Sequence, residues 1–233
     1  MAGAPALTTY REGSLHAALK ALYAGPDDRV EEPVDGFVVD VVRADELVEI
    51  QTASFGSVAR KLRRLVENHR IVLVHPIAVE RWLVRVDADG VITGRRRSPK
   101  RGVVLDLFEE LVAFPELLAD PNFRLELVMT REEDVRGPIP IGARYRYPRE
   151  WWRLDRRLLE VVDTVRIDTA ADLLALLPAG LPEPFTSADI ATAGRRSKRI
   201  AMRAAYCLTR AGAISYVGKQ GRLQAYAVVP ELQ

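Results

Sequence analysis

The chain has 233 residues and 48% hydrophobic content, enough for one large or two small domains with substantial cores. Its apolar runs are all shorter than the roughly 18–20 residues of a membrane span, and its first residues lack the basic and apolar regions of a signal peptide. The single cysteine, Cys207, lies in a helical pattern, which predicts a small core residue in a reducing environment. Together these features exclude a disulfide-stabilised scaffold and predict a cytoplasmic protein without a membrane partner.

The net charge of +2 conceals a strong asymmetry. Residues 194–230 contain eight Arg or Lys and no Asp or Glu, so this segment carries +8 and the rest of the chain −6. Such a distribution favours a polyanionic partner. Only five of the 34 basic residues are Lys, and a GC-rich genome explains this bias as well as phosphate recognition does.

The first part of the chain predicts an α/β unit around a small mixed sheet flanked by helices. Apolar residues at helical spacing, and shorter apolar or alternating runs, follow one another in a simple order. We expect helices at 13–25, 57–69 and 105–120, the last interrupted at Pro115, and strands at 31–43, 46–52, 70–79 and 123–130, with a hairpin over 81–99.

The second part predicts a smaller unit. Helical patterns at 169–178, 185–194 and 195–212 precede a hairpin over 213–229 that turns at "GKQG". The segment from Arg136 to Trp152 has three prolines, two glycines and no sustained period. The predicted domains are therefore residues 1–136 and 161–233, with 137–160 as the linker.

Three helices followed by a two-stranded hairpin resemble a winged helix-turn-helix domain, over roughly the last 65 residues. The resemblance implies that the third helix lies in the DNA major groove and that the hairpin is the wing. A protein-interaction module with a solvated basic face is the alternative. The residues expected to contact DNA are Arg195, Arg196, Lys198, Arg199 and Arg203 on the helix, and Lys219 and Arg222 at the wing.

Acidic and polar residues interrupt two apolar strands of the first unit. Asp40 stands among four valines, and Glu49 and Gln51 share a face of the following strand. Burying an unpaired carboxylate is costly, so such groups pair, neutralise or bind metal. Two carboxylates on one small sheet therefore indicate a cation between them, either a metal ion or a side chain such as Arg43 or Lys61.

A helix, a strand with Asp, a strand with acid-x-polar, a helix and a further strand resemble the PD-(D/E)XK nuclease superfamily, over roughly the first 80 residues. In that family the Asp and the first acid bind magnesium. The resemblance implies Mg²⁺ as cofactor, with Mn²⁺ as its substitute, held by Asp40, Glu49 and the backbone carbonyl of Ile50. Glu12 matches an acid that some members carry there; a helix N-terminal charge is the alternative.

The third motif position is usually lysine, and here it is Gln51. Glutamine orients water through hydrogen bonds but carries no charge. Some restriction enzymes of the superfamily use Glu-x-Gln, and other members place the lysine on the following helix, where Lys61 lies. The expected catalytic residues are therefore Asp40, Glu49, Gln51 and Lys61.

Other polar features have plain structural explanations beside functional ones. For His16 we expect a capped or partly buried structural histidine, with a position facing the site as the alternative, and for His75 a packing residue rather than a catalytic base. The three histidines lack metal-ligand spacing. The run 94–102 places five positive charges in seven residues, either as a solvated hairpin tip or as a phosphate contact.

Two functions follow. The first is a metal-dependent DNA endonuclease recruited to DNA by its winged helix. The second is a DNA-binding regulator or assembly module whose nuclease-like unit is inactive. Nucleases that cut both strands often form homodimers, although no apolar stripe in this sequence marks a dimer interface.

Overall fold

A computed structural model describes residues 13–138 and 151–230. Within these ranges, no helix combines the length and apolar character needed to cross a membrane. The helices are α1 Ser14–Tyr23, α2 Ala59–Leu65, α3 Phe108–Leu111, α4 Ala170–Leu174, α5 Ser187–Ala193 and α6 Lys198–Arg210, with 3-10 turns at Phe55–Ser57, Val104–Leu107 and Pro115–Ala119. The strands are β1 Arg29–Val34, β2 Phe37–Val42, β3 Leu47–Ile50, β4 Ile71–Val86, β5 Ile92–Arg97, β6 Phe123–Gly137, β7 Trp152–Ile167, β8 Phe185–Thr186, β9 Ile214–Gln220 and β10 Leu223–Val228.

The fold is mixed α/β, with a seven-stranded mixed sheet flanked by helices. Its strand order is β1-β2-β3-β4-β6-β7, and β5 pairs with β4. Strand β4 runs parallel to β3 and β6, whereas the remaining pairs are antiparallel. The predicted mixed character is confirmed, but the sheet is larger than the small one expected, because β4, β6 and β7 each run for 15 or 16 residues.

The two faces of the sheet bury different cores because side chains alternate along each strand. Leu47 and Leu73 belong to a large core that includes residues of α2, α3 and α6. Val48 and Ile50 point the other way, into a smaller core with Leu15 of α1. Glu49 therefore projects from the α2 side of the sheet, between two positions that pack against α1.

Helix α1 is anchored to the sheet at its first turn. Asp155 of β7 accepts hydrogen bonds from the Ser14 amide at 3.0 Å and the Ser14 hydroxyl at 2.5 Å. A carboxylate at a helix N-terminus satisfies an unpaired amide and interacts favourably with the helix dipole. This contact fixes the position of His16 over β2.

Several element boundaries differ from the sequence prediction. The expected strand 31–43 is a hairpin of β1 and β2, turning at Asp35 and Gly36, which both have positive φ. Residues 152–160 of the expected linker form the first part of β7, which pairs antiparallel with β6. The expected helix 105–120 divides into short helical turns.

The C-terminal elements form a compact helical group beside the large sheet. Strands β8, β10 and β9 make a three-stranded sheet, and the β9–β10 hairpin turns at residues 221–222, slightly beyond the expected turn centre. Cys207 is fully buried on α6, as expected. Burial raises the pKa of its thiol to about 12, so it is a core residue.

Candidate active site

Strands β2 and β3 separate at Asp40. The two strands pair over residues 41–42 and 47–48. Beyond this pairing, the Asp40 side chain accepts a hydrogen bond from the backbone of β3. Its Oδ2 accepts the Ile50 amide hydrogen at 2.7 Å, and its Oδ1 lies 3.1 Å from Nε2 of His16. The carboxylate is thereby held at the opening between the strands, where it contacts the backbone of the residue that follows Glu49.

Glu49 and Lys61 form the second half of the site. The ammonium of Lys61 donates hydrogen bonds to Glu49 Oε2 and, at 2.5 Å, to the Val38 carbonyl. Both side chains are largely buried, with 9% of Glu49 and 14% of Lys61 exposed. Lys61 of α2 thus reaches across to both β2 and β3, which brings three of the four predicted catalytic residues together.

The two carboxyl groups have opposite electrostatic environments. Burial opposes ionisation of Asp40, but hydrogen bonds from His16 and the Ile50 amide hold its pKa below the ordinary value. For Glu49, burial and the neighbouring Asp40 charge outweigh the Lys61 ammonium and raise the pKa to about 7. Burial is the largest cause of the raised Glu49 pKa, and the Asp40 charge adds to it.

Gln51 turns away from this pair. Its amide nitrogen donates to the Ser54 carbonyl at 3.1 Å and the Ser57 hydroxyl at 2.8 Å, and its amide oxygen accepts from the Ala53 amide at 3.2 Å. These bonds shape the loop after β3. The Gln51 backbone carbonyl also lies 2.6 Å from Nδ1 of His75, whose burial lowers its pKa.

The remaining predicted metal ligands are only partly placed. Glu12 lies outside the described residues. Within 13–138 and 151–230, no group of three or more His, Cys, Asp or Glu side chains is arranged to hold a metal ion. In that part of the chain the acidic site therefore consists of the two carboxylates, Asp40 and Glu49.

A buried ionic network behind the site was not predicted. Glu132 and Asp134 on β6 are fully buried. Arg156 of β7 forms a bidentate pair with Glu132, in which Nε donates to Oε2 and Nη2 to Oε1, and its Nη1 donates to the Thr52 carbonyl at 2.9 Å. The sequence did contain a signal for this network, because acids alternate along β6 and arginines lie on β7, the next strand. The network also includes Arg81, Arg136 and Arg153.

Part of the basic set on α6 and its preceding turn contacts the first unit instead of solvent alone. Arg199 holds the Glu109 carboxylate at 2.7 and 2.9 Å, and Arg203 donates to the Glu109 backbone carbonyl at 2.8 Å. Nε of Arg196 lies 3.1 Å from Asp106, without hydrogen-bond alignment. These arginines thus face acidic residues of the same chain.

The other predicted DNA contacts are exposed to solvent. They are Arg195 and Lys198 near the start of α6, and Lys219 and Arg222 at the tip of the β9–β10 hairpin. In the basic run 94–102, Arg95 stacks over Trp82 at 4.0 Å, and Arg97 pairs with Glu80 at 2.6 Å.

Comparison with known proteins gives a family for the chain. The model of a domain of unknown function, DUF8091, matches residues 13–168, which contain α1, α2, α3 and all seven strands of the large sheet. An uncharacterized protein from Treponema pallidum (strain Nichols) is 31% identical over 227 residues, covering 96% of this chain and 88% of the relative. No solved structure matches the chain. The protein therefore belongs to the DUF8091 family, and both carboxylates of the candidate site lie within the matched region.

Proposed function

We propose that the protein is a metal-dependent DNA endonuclease of the PD-(D/E)XK type. The observation that carries the proposal is the meeting of Asp40, Glu49 and Lys61 where β2 and β3 separate. The element order around them is helix, three antiparallel strands, helix and a strand parallel to the third. The sequence resemblance rests on a helix, two strands, a helix and a further strand, and here the first of those two strands is the β1–β2 hairpin.

The donor set fits a divalent cation. Mg²⁺ binds through one or two carboxylates, completed by water and phosphate oxygens, and Asp40 and Glu49 are two carboxylates at one opening. Oε1 of Glu49 accepts no hydrogen bond from the described residues, and burial together with the neighbouring Asp40 charge raises the pKa of this group to about 7. Asp40 and Glu49 would hold the ion, with the Ile50 carbonyl as the third protein ligand that the resemblance implies.

Lys61 supplies the positive charge that Gln51 lacks. When bound, Mg²⁺ lowers the pKa of a coordinated water and neutralises the phosphate. The Lys61 ammonium, already between the β2 backbone and the Glu49 carboxylate, is positioned to orient water and stabilise charge on the phosphate. Gln51 contributes by shaping the loop that follows β3.

The C-terminal unit supports recruitment to DNA. The order α4, α5, α6 and the β9–β10 hairpin agrees with a winged helix-turn-helix. Arg195, Lys198, Lys219 and Arg222 are the proposed phosphate contacts, because they are exposed and no acidic residue of 194–230 offsets them. The arginines paired with the first unit set the position of α6.

The test is cleavage of plasmid, linear and branched DNA with Mg²⁺ or Mn²⁺. We expect cleavage by the parent protein and none by the Asp40→Ala and Glu49→Ala proteins. Lys61→Met should lower the rate by about 10²-fold, since it removes an oriented charge, and calorimetric titration with Mn²⁺ should show that both acid variants lose metal binding.

Asp45→Asn is the matched control, because it removes an exposed carboxylate from the turn that joins β2 to β3. Its activity should equal that of the parent. Cleavage that survives both acid substitutions would place the chemistry elsewhere and refute the proposal.

The position of Gln51 favours a second function. Its side chain is bound within the loop at residues 53–57, so β3 presents no cationic or polar third residue to the acids. In that case the protein is a DNA-binding regulator or assembly module. DNA binding without cleavage on every substrate, and no Mn²⁺ binding, would select this function.

A further inference from the structure

A cleft of about 580 Å³ lies between the large sheet and the start of α6. Its floor is the middle of β4, at residues 75–78, and one wall is the loop 99–102. Gly102 lies so close to β4 that a side chain there would meet Ile77 and the Ala78 carbonyl. The cleft is completed by Asp106, Glu109 and Glu110 on the α3 side, and by Arg196, Ser197, Arg199 and Ile200 on the α6 side.

The cleft has more positive than negative charge available to a ligand. Arg196 and Arg199 already neutralise acids of the opposite wall. Lys100 and Arg101 also line the cleft, and their side chains make no hydrogen bond or ion pair with any residue in 13–138 or 151–230. These two cations are therefore free to meet an anion.

Arg81 adds a buried donor to the same cleft. Its Nε is inaccessible to solvent and has no hydrogen-bond acceptor in the described structure. The closest paired carboxylate, Glu132, lies 3.7 Å from the Arg81 Nη2. A quarter of the Arg81 side chain is nevertheless exposed, and through this part its positive charge would stabilise an anion in the cleft.

The cleft adjoins the carboxylate pair. His75 lies on its floor and contacts the Gln51 carbonyl at 2.6 Å. Gln51 immediately follows β3 and comes two residues after Glu49, a separation of about 7 Å along an extended chain. A strand in the cleft would therefore pass close to the chain segment that carries Glu49.

We propose that this cleft binds the sugar–phosphate backbone of a single nucleic-acid strand and guides it to the Asp40–Glu49 site. The inference rests on the proposed nuclease function and specifies its substrate path. The volume lies within the range of about 300–1,000 Å³ typical of small-ligand pockets, so it fits a short stretch of one strand and not a duplex. Nucleic acids with single-stranded ends, forks or branches are then the preferred substrates.

Binding of fluorescein-labelled oligonucleotides in EDTA tests the inference without cleavage. The probes are a single strand of about 20 nucleotides, the matching duplex and a polyglutamate peptide. A strand of about 20 nucleotides corresponds to two turns of the duplex. We expect Lys100→Ala/Arg101→Ala to bind the single strand at least about tenfold more weakly. The slope of log K against log salt should fall by about 1.4, because two single-strand phosphate contacts are lost.

Arg29→Ala/Arg124→Ala is the matched control. It removes the same charge from two residues that do not line the cleft. Arg29 lies opposite Val42 of β2, and Arg124 lies opposite Val72 of β4 and pairs with Asp168. Single-strand affinity should remain close to that of the parent, and thermal unfolding should show that both double variants are folded.

The outcomes separate the two proposals. The proposal for the cleft would be overturned if both double variants weakened single-strand binding equally. It would also be overturned if Lys100→Ala/Arg101→Ala bound the single strand as tightly as the parent. Preference for the peptide would assign the cleft to an acidic protein partner and overturn it as well. Selective loss of single-strand binding supports the cleft even where the parent cleaves nothing, whereas cleavage that depends on Asp40 supports the nuclease whatever the cleft binds.

Discussion

At the scale of single residues, two similar carboxyl groups, Asp40 and Glu49, have pKa values shifted in opposite directions. Asp40 receives hydrogen bonds from His16 and a backbone amide, which hold its pKa low. Glu49 is more deeply buried and feels the charge of Asp40, so its pKa rises to about 7 despite Lys61. Such divergent carboxyl groups are characteristic of functional sites.

The raised pKa of Glu49 predicts a pH dependence of stability. The folded protein binds this proton more tightly than the unfolded chain, whose carboxyl has an ordinary pKa of 4.5. The stabilisation is therefore complete below that pH and is lost as pH rises toward about 7. Between these values, the free energy of unfolding of the metal-free parent should fall relative to that of Glu49→Gln.

Urea denaturation in EDTA at several pH values measures this difference. Glu46→Gln is a suitable reference, because its carboxylate pairs with Arg43 at the edge of the same strand. A parent-minus-variant difference for Glu49→Gln that is flat with pH would contradict the prediction.

At the scale of elements, the long strands β6 and β7 carry the ionic network that supports the site. Glu132 is fully buried and is held by Arg156, which also binds the backbone just beyond β3. Removing one partner of a buried ion pair leaves an uncompensated charge, which is far more costly than loss of an exposed pair. The network therefore couples the edge of the sheet to the loop beside the candidate site.

Arg156→Met should lower the free energy of unfolding by about 3–5 kcal/mol. Arg157→Met, at the next position of β7, should change it by less than about 1 kcal/mol, because its pair with Asp155 is long and largely exposed. Urea denaturation of both variants measures the contrast, and similar losses would show that burial of Glu132 is not the cause.

At the scale of the whole molecule, the C-terminal helices share a core with the large sheet. Leu105 and Phe108 belong to the same buried cluster as Ala201, Ala204 and Leu208 of α6. Ion pairs to Asp106 and Glu109 border this contact. The two units predicted from the sequence are thus joined by apolar packing as well as by the chain.

A shared core predicts cooperative unfolding. We expect differential scanning calorimetry to show one transition, with the calorimetric and van't Hoff enthalpies equal. Two resolved transitions would mean that the C-terminal unit unfolds on its own, despite the buried contacts of α6.

The sequence by itself determined the local features of this protein. Apolar periodicity placed α1, α2, α4, α5 and α6, although it predicted one helix over 105–120 where the structure has short helical turns. The alternation of apolar and acidic residues put Asp40 and Glu49 on neighbouring strands, and Cys207 was correctly assigned to a core. These features depend on residues a few positions apart, whose spacing decides which face they occupy. The charge asymmetry of 194–230 was equally visible in the sequence.

Only the tertiary structure decided which charges meet. Gln51 faces a loop, while Lys61 reaches Glu49 from a helix, and Arg199 pairs with Glu109 across 90 residues of chain. Electrostatic contacts act over a few ångströms in space, so they follow from how strands and helices pack and not from sequence spacing. For the same reason, the cleft between β4 and the start of α6 could be seen only in the tertiary structure.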